Sequence, residues 1–423
     1  MSPDPLSLIS ENKRSLPQEF ARVADICNGC RRCFNLCPSF DQMFIRIDDR
    51  TGEADSLTRK DQDEITELCY YCKLCYNHCP YTPPHHFNLD FPRLMLLGKA
   101  EIAQTKRPAF RDRILVDTDW VGRWGRRLAP LLNWANSVRA IRLLIHRWLG
   151  IHKDRILPPI ATETFIEWQS KRAPKPSPSP SAKKVALFHT CYVNYNAPEI
   201  GKATVQVLEK NNVETVHPDQ LCCGMPFFDV GDIESARQKA RFNIRSLEKV
   251  IAAGYDIVAP MPTCSLMLKK EYPALLGLEA KIVSEHTFDL CEYLMRLNGE
   301  GKLNKEFTQA IGKVSYQIPC HLRDQNIGYK SRDLMKLIPG TTVDVIEKCS
   351  AHDGTWGIKT EFFDESMKTA KPLFRAIEEG APDQVATDCP LAGMQILQGT
   401  GREPLHPIQI LKKAYGLEEG EEG

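Results

Sequence analysis

Sixteen of the 423 residues are cysteine, and eight of them fall into two matched runs. Residues 27–38 read CNGCRRCFNLCP and residues 69–80 read CYYCKLCYNHCP, both C-x2-C-x2-C-x3-C-P. A short loop can wrap three thiolates around the corners of one iron–sulfur cube. The fourth, turned away by the proline that follows it, reaches the other cube instead. This spacing assigns Cys27, Cys30, Cys33 and Cys79 to one [4Fe–4S] cluster, and Cys69, Cys72, Cys75 and Cys37 to a second. Zinc bound by C-x2-C pairs is the alternative, and two complete runs each ending in Cys-Pro weigh against it.

Seven further cysteines follow strand-like runs in the second half of the chain. VALFH (185–189) leads to Cys191, VETVH (213–217) precedes Cys222 and Cys223, and DIVAP (256–260) precedes Cys264. The series then repeats: VSYQI (314–318) leads to Cys320, TVDVI (342–346) precedes Cys349, and QVAT (384–387) precedes Cys389. Thirty residues separate Cys191 from Cys222 and 28 separate Cys320 from Cys349; 40 separate Cys223 from Cys264 and 38 separate Ser350 from Cys389. Helix-like segments such as ESARQKARFNIRSLEKVIAA and ESMKTAKPLFRAIEEG lie between the strands. Alternating β and α reads as a duplicated parallel α/β fold, with cysteines gathered at the carboxyl ends of the strands. Cys291 has no counterpart in the other repeat and reads as a core thiol on a helix.

The elements that position the N-terminal runs are helical. Thirty-one residues lie between Cys37 and Cys69, and TRKDQDEITELCYYC reads as a helix entering the second run. The pattern is that of bacterial ferredoxins, at a separation closer to the helical ferredoxin domains of respiratory complexes. Residues 120–149 read WVGRWGRRLAPLLNWANSVRAIRLLIHRWL, with six arginines, no acids and four of the six tryptophans. After Pro130 the positions Leu131, Trp134, Val138, Ile141, Ile145 and Trp148 recur at helical spacing, with Arg139, Arg142 and Arg147 off that stripe. Such a helix suits a membrane interface, or packing on the protein itself or a partner subunit. KRAPKPSPSPSAKK (171–184) reads as an extended linker.

The residues exclude several classes. The 55 basic and 54 acidic residues nearly balance, which gives no support for nucleic-acid binding. Met1 to Pro17 is polar, with no signal-peptide core, and no run reaches the length of a spanning helix. So many thiols without an export signal point to metal or redox chemistry on the cytoplasmic side. No G-x-G-x-x-G follows a strand and no P-loop occurs, so the expectation is no flavin, nicotinamide or ATP site in this chain.

The first repeat resembles the CCG domain of the heterodisulfide reductase B-subunit family, whose cysteines hold unusual iron–sulfur clusters. Over nearly the whole chain the sequence is more similar to the C-subunit family of anaerobic glycerol-3-phosphate dehydrogenases. The two cysteine runs, RPAFRDRILVDTDWVG, HTCYVNYNAPEIGK, LCCGMPF, TCSLMLKKEYP, PCHLRD and TDCPLAG carry that resemblance. It implies an α+β multi-domain chain: a ferredoxin-like domain (1–110), a Trp/Arg-rich helical segment (111–170), the linker (171–184), a CCG domain (185–305) and a divergent second one (306–423). It also implies a peripheral protein on the inner face of the membrane, carrying electrons from a flavin-bearing dehydrogenase through the clusters to quinone. The other reading is a disulfide or peroxide-linked reductase working at a CCG-domain cluster.

Two departures matter. Where the family pattern ends in C-x2-C, the first position reads as Met261 in one repeat and Ala386 in the other. The first repeat keeps four metal-binding candidates, Cys191, Cys222, Cys223 and Cys264. The second keeps Cys320, Cys349 and Cys389, within CSAHDGTWG (349–357) and its surroundings, with His321, Ser350, His352 and Asp353 nearby. His352 is the foremost non-thiolate ligand candidate, since imidazole can replace thiolate on iron. Three thiolates alone would leave an iron open to substrate, which makes Cys320, Cys349, Cys389 and His352 catalytic candidates as well.

Overall fold

A computed structural model describes residues 14–106, 108–172 and 182–417. Most of the expected linker, residues 173–181, lies outside them. The first unit is helical: α1 (Leu16–Cys30), α2 (Pro38–Asp48), α3 (Arg59–Glu67), α4 (Leu74–His78) and α5 (Phe91–Thr105). Helix α3 starts where Thr58 and Asp61 cap each other, the Thr58 N–H donating to Asp61 at 2.8 Å. It delivers the chain to Cys69, as the sequence implied. Phe20, Met43, Phe44, Ile47, Ile65 and Met95 form the core beneath both cysteine runs. Within each run the residue after the second cysteine, Arg31 or Lys73, is left-handed (φ 50° and 60°). For a residue with a Cβ that conformation costs about 1–2 kcal/mol, and it is what curls the loop inward.

The two repeats form two parallel sheets. Strands β1 (Lys183–Leu187), β2 (Val213–Val216), β3 (Asp256–Ala259) and β4 (Thr287–Asp289) order as β2-β1-β3-β4. Strands β5 (Gly312–Gln317), β6 (Thr341–Ile346) and β7 (Gln384–Ala386) order as β6-β5-β7. All six strand-like runs of the sequence are strands. β4 was not legible, because three residues are too few to show a period. In the second repeat its place is taken by one bridge, Ala386 to Leu405. The repeats are not separate bodies: one buried core runs from Val185 and Leu187 to Val314 and Tyr316. The helix Pro407–Ala414 of the second repeat packs on Pro198–Lys210 of the first.

Residues 111–170 are mostly helical, but the stripe from Leu131 to Trp148 is not one helix. They form α6 (Phe110–Val116), α7 (Thr118–Gly125), α8 (Ala129–Ser137) and α9 (Arg139–Leu149), followed by a stretch without regular structure and a short helix, Phe165–Lys171. The break falls at Val138, extended at φ −87° and ψ 112°, after Ser137 donates its hydroxyl to the Trp134 carbonyl at 2.7 Å. Of the stripe, Leu131, Trp134 and Trp148 face outward, joined by Leu143 and Leu144, whereas Val138, Ile141 and Ile145 are half-buried. Arg142 is no flank either. It is buried and donates to the carbonyls of Lys153 (3.1 Å), His152 and Arg155 (2.7 Å each), pinning the stretch after α9.

Gly231 marks where the first repeat meets the N-terminal unit. Its φ is +85°, and a Cβ there would lie 2.4 Å from the Lys99 carbonyl carbon of α5. Gly231→Ala is expected to lower stability by more than about 1 kcal/mol, since conformation and space both forbid the methyl. Thermal unfolding of the two proteins side by side checks this.

Candidate metal centres and the cavity between the repeats

In each repeat the first cysteine opens a short helix after the first strand: Cys191 in α10 (Cys191–Tyr195) and Cys320 in Cys320–Asp324. The second position is a turn. Gly224 is left-handed (φ +92°) just before α11 (Met225–Asp229), and Ala351 holds the same conformation (φ +51°). The match sets Cys349 at the place of Cys222 and Ser350 at that of Cys223. In the second repeat the Ala351 N–H donates to Cys349 Sγ at 3.2 Å.

The third position corrects the alignment read from spacing. α12 (Pro262–Leu266) and Pro390–Thr400 both begin with proline. Their caps, Met261 (φ −117°, ψ 127°) and Cys389 (φ −105°, ψ 106°), are equivalent. Cys389 therefore stands where Met261 stands, and Ala392 stands where Cys264 stands. Counted this way, 37 residues (224–260) match 38 (351–388), a closer agreement than 40 against 38. Each repeat has kept a different half of the terminal cysteine pair.

The strand ends of both repeats open into one cavity of about 320 Å³. It is lined by Cys191, Cys222, Cys223, Cys264, Cys320, Cys349 and Cys389, and by Cys72 of the N-terminal unit. Cys191 and Cys222 sulfurs lie 3.7 Å apart, and Cys264 and Cys223 sulfurs 3.5 Å. Cys389 interacts electrostatically with Cys264, Cys320 with Cys349 and Cys389, and Cys72 with Cys349 and Cys320. Further out, Cys75 interacts with Cys37, Cys69 and Cys33, and Cys27 with Cys33, Cys79 and Cys30. The three-cysteine set thus adjoins both the second N-terminal run and the first repeat, and the second run adjoins the first.

A single zinc ion with four thiolates at about 2.3 Å would bring every pair of sulfurs to about 3.8 Å. Among the described residues, the one group with three potential ligand atoms all within 4.8 Å is Asp289, Cys291 and Asp388. Individual sulfur pairs come that close, but among the described residues no three cysteine sulfurs do, so the donor sets suit a multi-iron cluster better than a single ion. The Asp289 trio is a bonded network instead. Tyr316 (2.6 Å) and Ser331 donate to Asp388, and the Cys291 N–H donates to Asp289 at 3.0 Å. Cys291 is the buried helix thiol expected of it.

Burial pushes most of these thiols up, Cys33 and Cys389 to about 11. Cys222 goes the other way, held well below its ordinary value by hydrogen bonds from Cys191 and Cys223. Without metal the pocket holds mostly neutral thiols, so loading it releases protons.

The nearby polar residues of the second repeat are already engaged. His321 bonds Thr263 Oγ1 through Nδ1 (2.9 Å) and the Tyr71 carbonyl through Nε2 (3.0 Å). Asp353 accepts the N–H groups of Thr355 (2.9 Å) and Trp356 (2.7 Å). His352 lines the cavity, but the Gly354 N–H donates to its Nδ1 at 3.0 Å. That assigns the ring proton to Nε2, which has no hydrogen-bond partner. In this arrangement His352 offers a donor, not a lone pair for iron. Burial, with Arg155 nearby, holds its pKa down to about 3.

Several contributors were invisible in the spacing. Tyr70 shares a hydrogen bond with Cys349 Sγ at 3.3 Å, joining the second N-terminal run to the second repeat. Asp119 of α7 accepts the Cys222 N–H with both oxygens at 3.0 Å and is paired with Lys239 at 2.5 Å. Its signal was present, within the segment RPAFRDRILVDTDWVG, but without a role. Ile114, Leu115, Val121, Leu157 and Ile160, from the same stretch that carries the exposed tryptophans, form the cavity's apolar wall.

Comparison with known proteins agrees with this geometry. A Citrate utilization protein B Fer4-like domain matches residues 20–105, and a Cysteine-rich domain (CCG) matches residues 185–269 and 314–396. The C subunit of the anaerobic glycerol-3-phosphate dehydrogenase of Escherichia coli (strain K12) is 33% identical over 314 residues, 73% of this chain and 78% of that protein. The B subunit of the fumarate reductase (CoM/CoB) of Methanothermobacter marburgensis is 28% identical over 54% of this chain and 44% of its own length. Lactate utilization protein A of Bacillus pumilus is 31% identical over 49% of this chain and 87% of its own.

Proposed function

Because this chain belongs to the C-subunit family of anaerobic glycerol-3-phosphate dehydrogenases, we propose that it takes electrons from a flavin-bearing dehydrogenase and delivers them to a membrane quinone. Its Fer4-like and CCG domains make it an iron–sulfur electron-transfer protein. In this reading Cys27, Cys30, Cys33 and Cys79 hold the outer [4Fe–4S] cluster, and Cys69, Cys72, Cys75 and Cys37 the inner one. Cys191, Cys222, Cys223 and Cys264 hold a CCG-type cluster, with Cys320, Cys349 and Cys389 as a further station. Each bound cluster supplies a one-electron carrier. Asp119 fixes the Cys222 turn, and Tyr70 joins the inner run to Cys349.

The observation that carries the quinone reading is the cavity. Its cysteines lie opposite an apolar wall from the segment whose tryptophans face outward: Trp120 54%, Trp124 50%, Trp134 57% and Trp148 78% exposed. The other two tryptophans, Trp168 and Trp356, are buried, so the exposure is a property of this face. Such a face suits the membrane interface, and a flat apolar ring suits the cavity. Among the described residues no helix is long and apolar enough to cross a membrane, so attachment rests on this surface.

The test is to mix the reduced, cluster-loaded protein with anionic phospholipid vesicles containing menaquinone. Quinol is expected to form on the vesicles. Replacing both Trp134 and Trp148 with aspartate should weaken vesicle binding at least about 10-fold, from the apolar area removed. Reduction of a disulfide without vesicles, together with no quinol, would establish the reductase reading instead.

A further inference from the structure

We propose that Asp229 is a proton-relay residue, passing protons from a water-facing cleft to the acceptor in the cysteine cavity. This rests on the quinone reading above. Reducing a quinone to quinol takes two electrons and two protons, one O–H bond forming at each carbonyl oxygen. The electrons arrive singly from the reduced partner dehydrogenase through the clusters. The protons need their own route, since the cysteine cavity is walled mainly by apolar side chains and thiols.

Asp229 ends α11 and is 6% exposed. It lines the cysteine cavity and also a second cavity of about 540 Å³, whose walls include Lys106, Asp112, Asp117, Asp232 and Glu361. Asp229 and Thr355 are the residues common to both, so the partition between them is polar. Lys99 of α5 donates to Asp229 Oδ1 at 3.2 Å. Thr355 Oγ1 lies 3.5 Å from Asp229 Oδ2 and 2.9 Å from Asp353 Oδ2. Thr355 Oγ1 thus bridges the two carboxylates.

Asp353 also accepts the N–H groups of Thr355 and Trp356, which favour its ionised form and leave Asp229 as the carboxyl free to carry a proton. A lysine pair with a purely structural purpose needs no second carboxylate. The charged groups facing Asp229 are Lys99 from α5, Asp353 from the loop before Trp356, and the Cys69 thiol, which interacts with both Lys99 and Asp229. Standing in the wall shared by the two cavities, the Asp229 carboxyl can release a proton on one side and regain one from the other. In the relay its O–H bond breaks as an O–H forms on the quinone, and water in the polar cleft returns the proton.

The test compares two acceptors on the reduced, cluster-loaded protein: menadione, which takes up protons with its electrons, and ferricyanide, which takes an electron alone. Asp229→Asn is expected to lower the ratio of menadione to ferricyanide rates about 100-fold, and Asp229→Glu to restore most of it. Infrared spectra of the same protein should show a protonated-carboxyl band that is missing in Asp229→Asn. An unchanged ratio, equal losses with both acceptors, or a band that persists in Asp229→Asn would overturn the relay. Wild-type protein that reduces ferricyanide but not menadione would instead refute the quinone reading, and the infrared band would still decide whether Asp229 holds the proton.

Discussion

Cys264→Ala is expected to strip the metal from the first repeat and stop electron delivery beyond the second, while the eight N-terminal cysteines keep their iron. Cys264 is the third residue of α12, buried, with its sulfur 3.5 Å from that of Cys223. Its neighbours within the same turn cannot replace it. Thr263 is bonded to His321, and the Met261 sulfur accepts from Thr190 at 3.3 Å. A thioether is also a poor substitute for a thiolate on iron. Losing one of four direct ligands should cost more than the roughly 10–100-fold in metal affinity that follows loss of a supporting contact. Iron and acid-labile sulfide counted per chain give the answer, with Cys291→Ala as the buried thiol whose loss should leave both unchanged. Equal iron in Cys264→Ala and wild type would remove the first repeat from the relay.

Lys73→Met should cost about 3–5 kcal/mol, the usual loss when one partner of a buried charge group is removed. Lys73 sits in the loop between Cys72 and Cys75, and its ammonium lies 2.7 Å from Glu271 and 3.1 Å from Asp324. Those carboxylates belong to different repeats, so one cation ties the inner cluster loop to both. Desolvation alone would lower its pKa, but Glu271 and Asp324 outweigh it and raise it above 10.5. A raised lysine pKa contributes stability that is complete below the unfolded value and fades only as pH climbs through the folded one. The loss should therefore be undiminished at neutral pH. Denaturant unfolding of the cluster-loaded protein measures it, against Lys60→Met, whose side chain is 86% exposed and whose 3.8 Å contact to Glu64 should be worth well under 1 kcal/mol. A Lys73→Met protein as stable as Lys60→Met would show that the N-terminal unit docks by other means.

How much of this was legible in the sequence divides along a physical line. The C-x2-C-x2-C-x3-C-P runs, the helix leading to Cys69 and the six strands before cysteines are local, because ligand spacing and hydrophobic period are properties of consecutive residues. The duplication was legible for the same reason: spacing put Ser350 in the slot of Cys223, and the next residue, Ala351, repeats the left-handed turn of Gly224. Spacing failed where loops differ in length: it paired Cys389 with Cys264, and only the shared proline-led helix start shows that Cys389 answers to Met261. It also read Arg142 as a surface flank, since a helical wheel does not know which carbonyls the next loop will present. That both repeats turn their strand ends into one cavity, that Tyr70 reaches Cys349 across 279 positions, and that Asp229 sits between two cavities were decided by packing alone. A sequence by itself determines which thiols this protein owns and how each loop presents them. Which loops face one another depends on burying side chains far apart in the chain, and that only the tertiary structure decides.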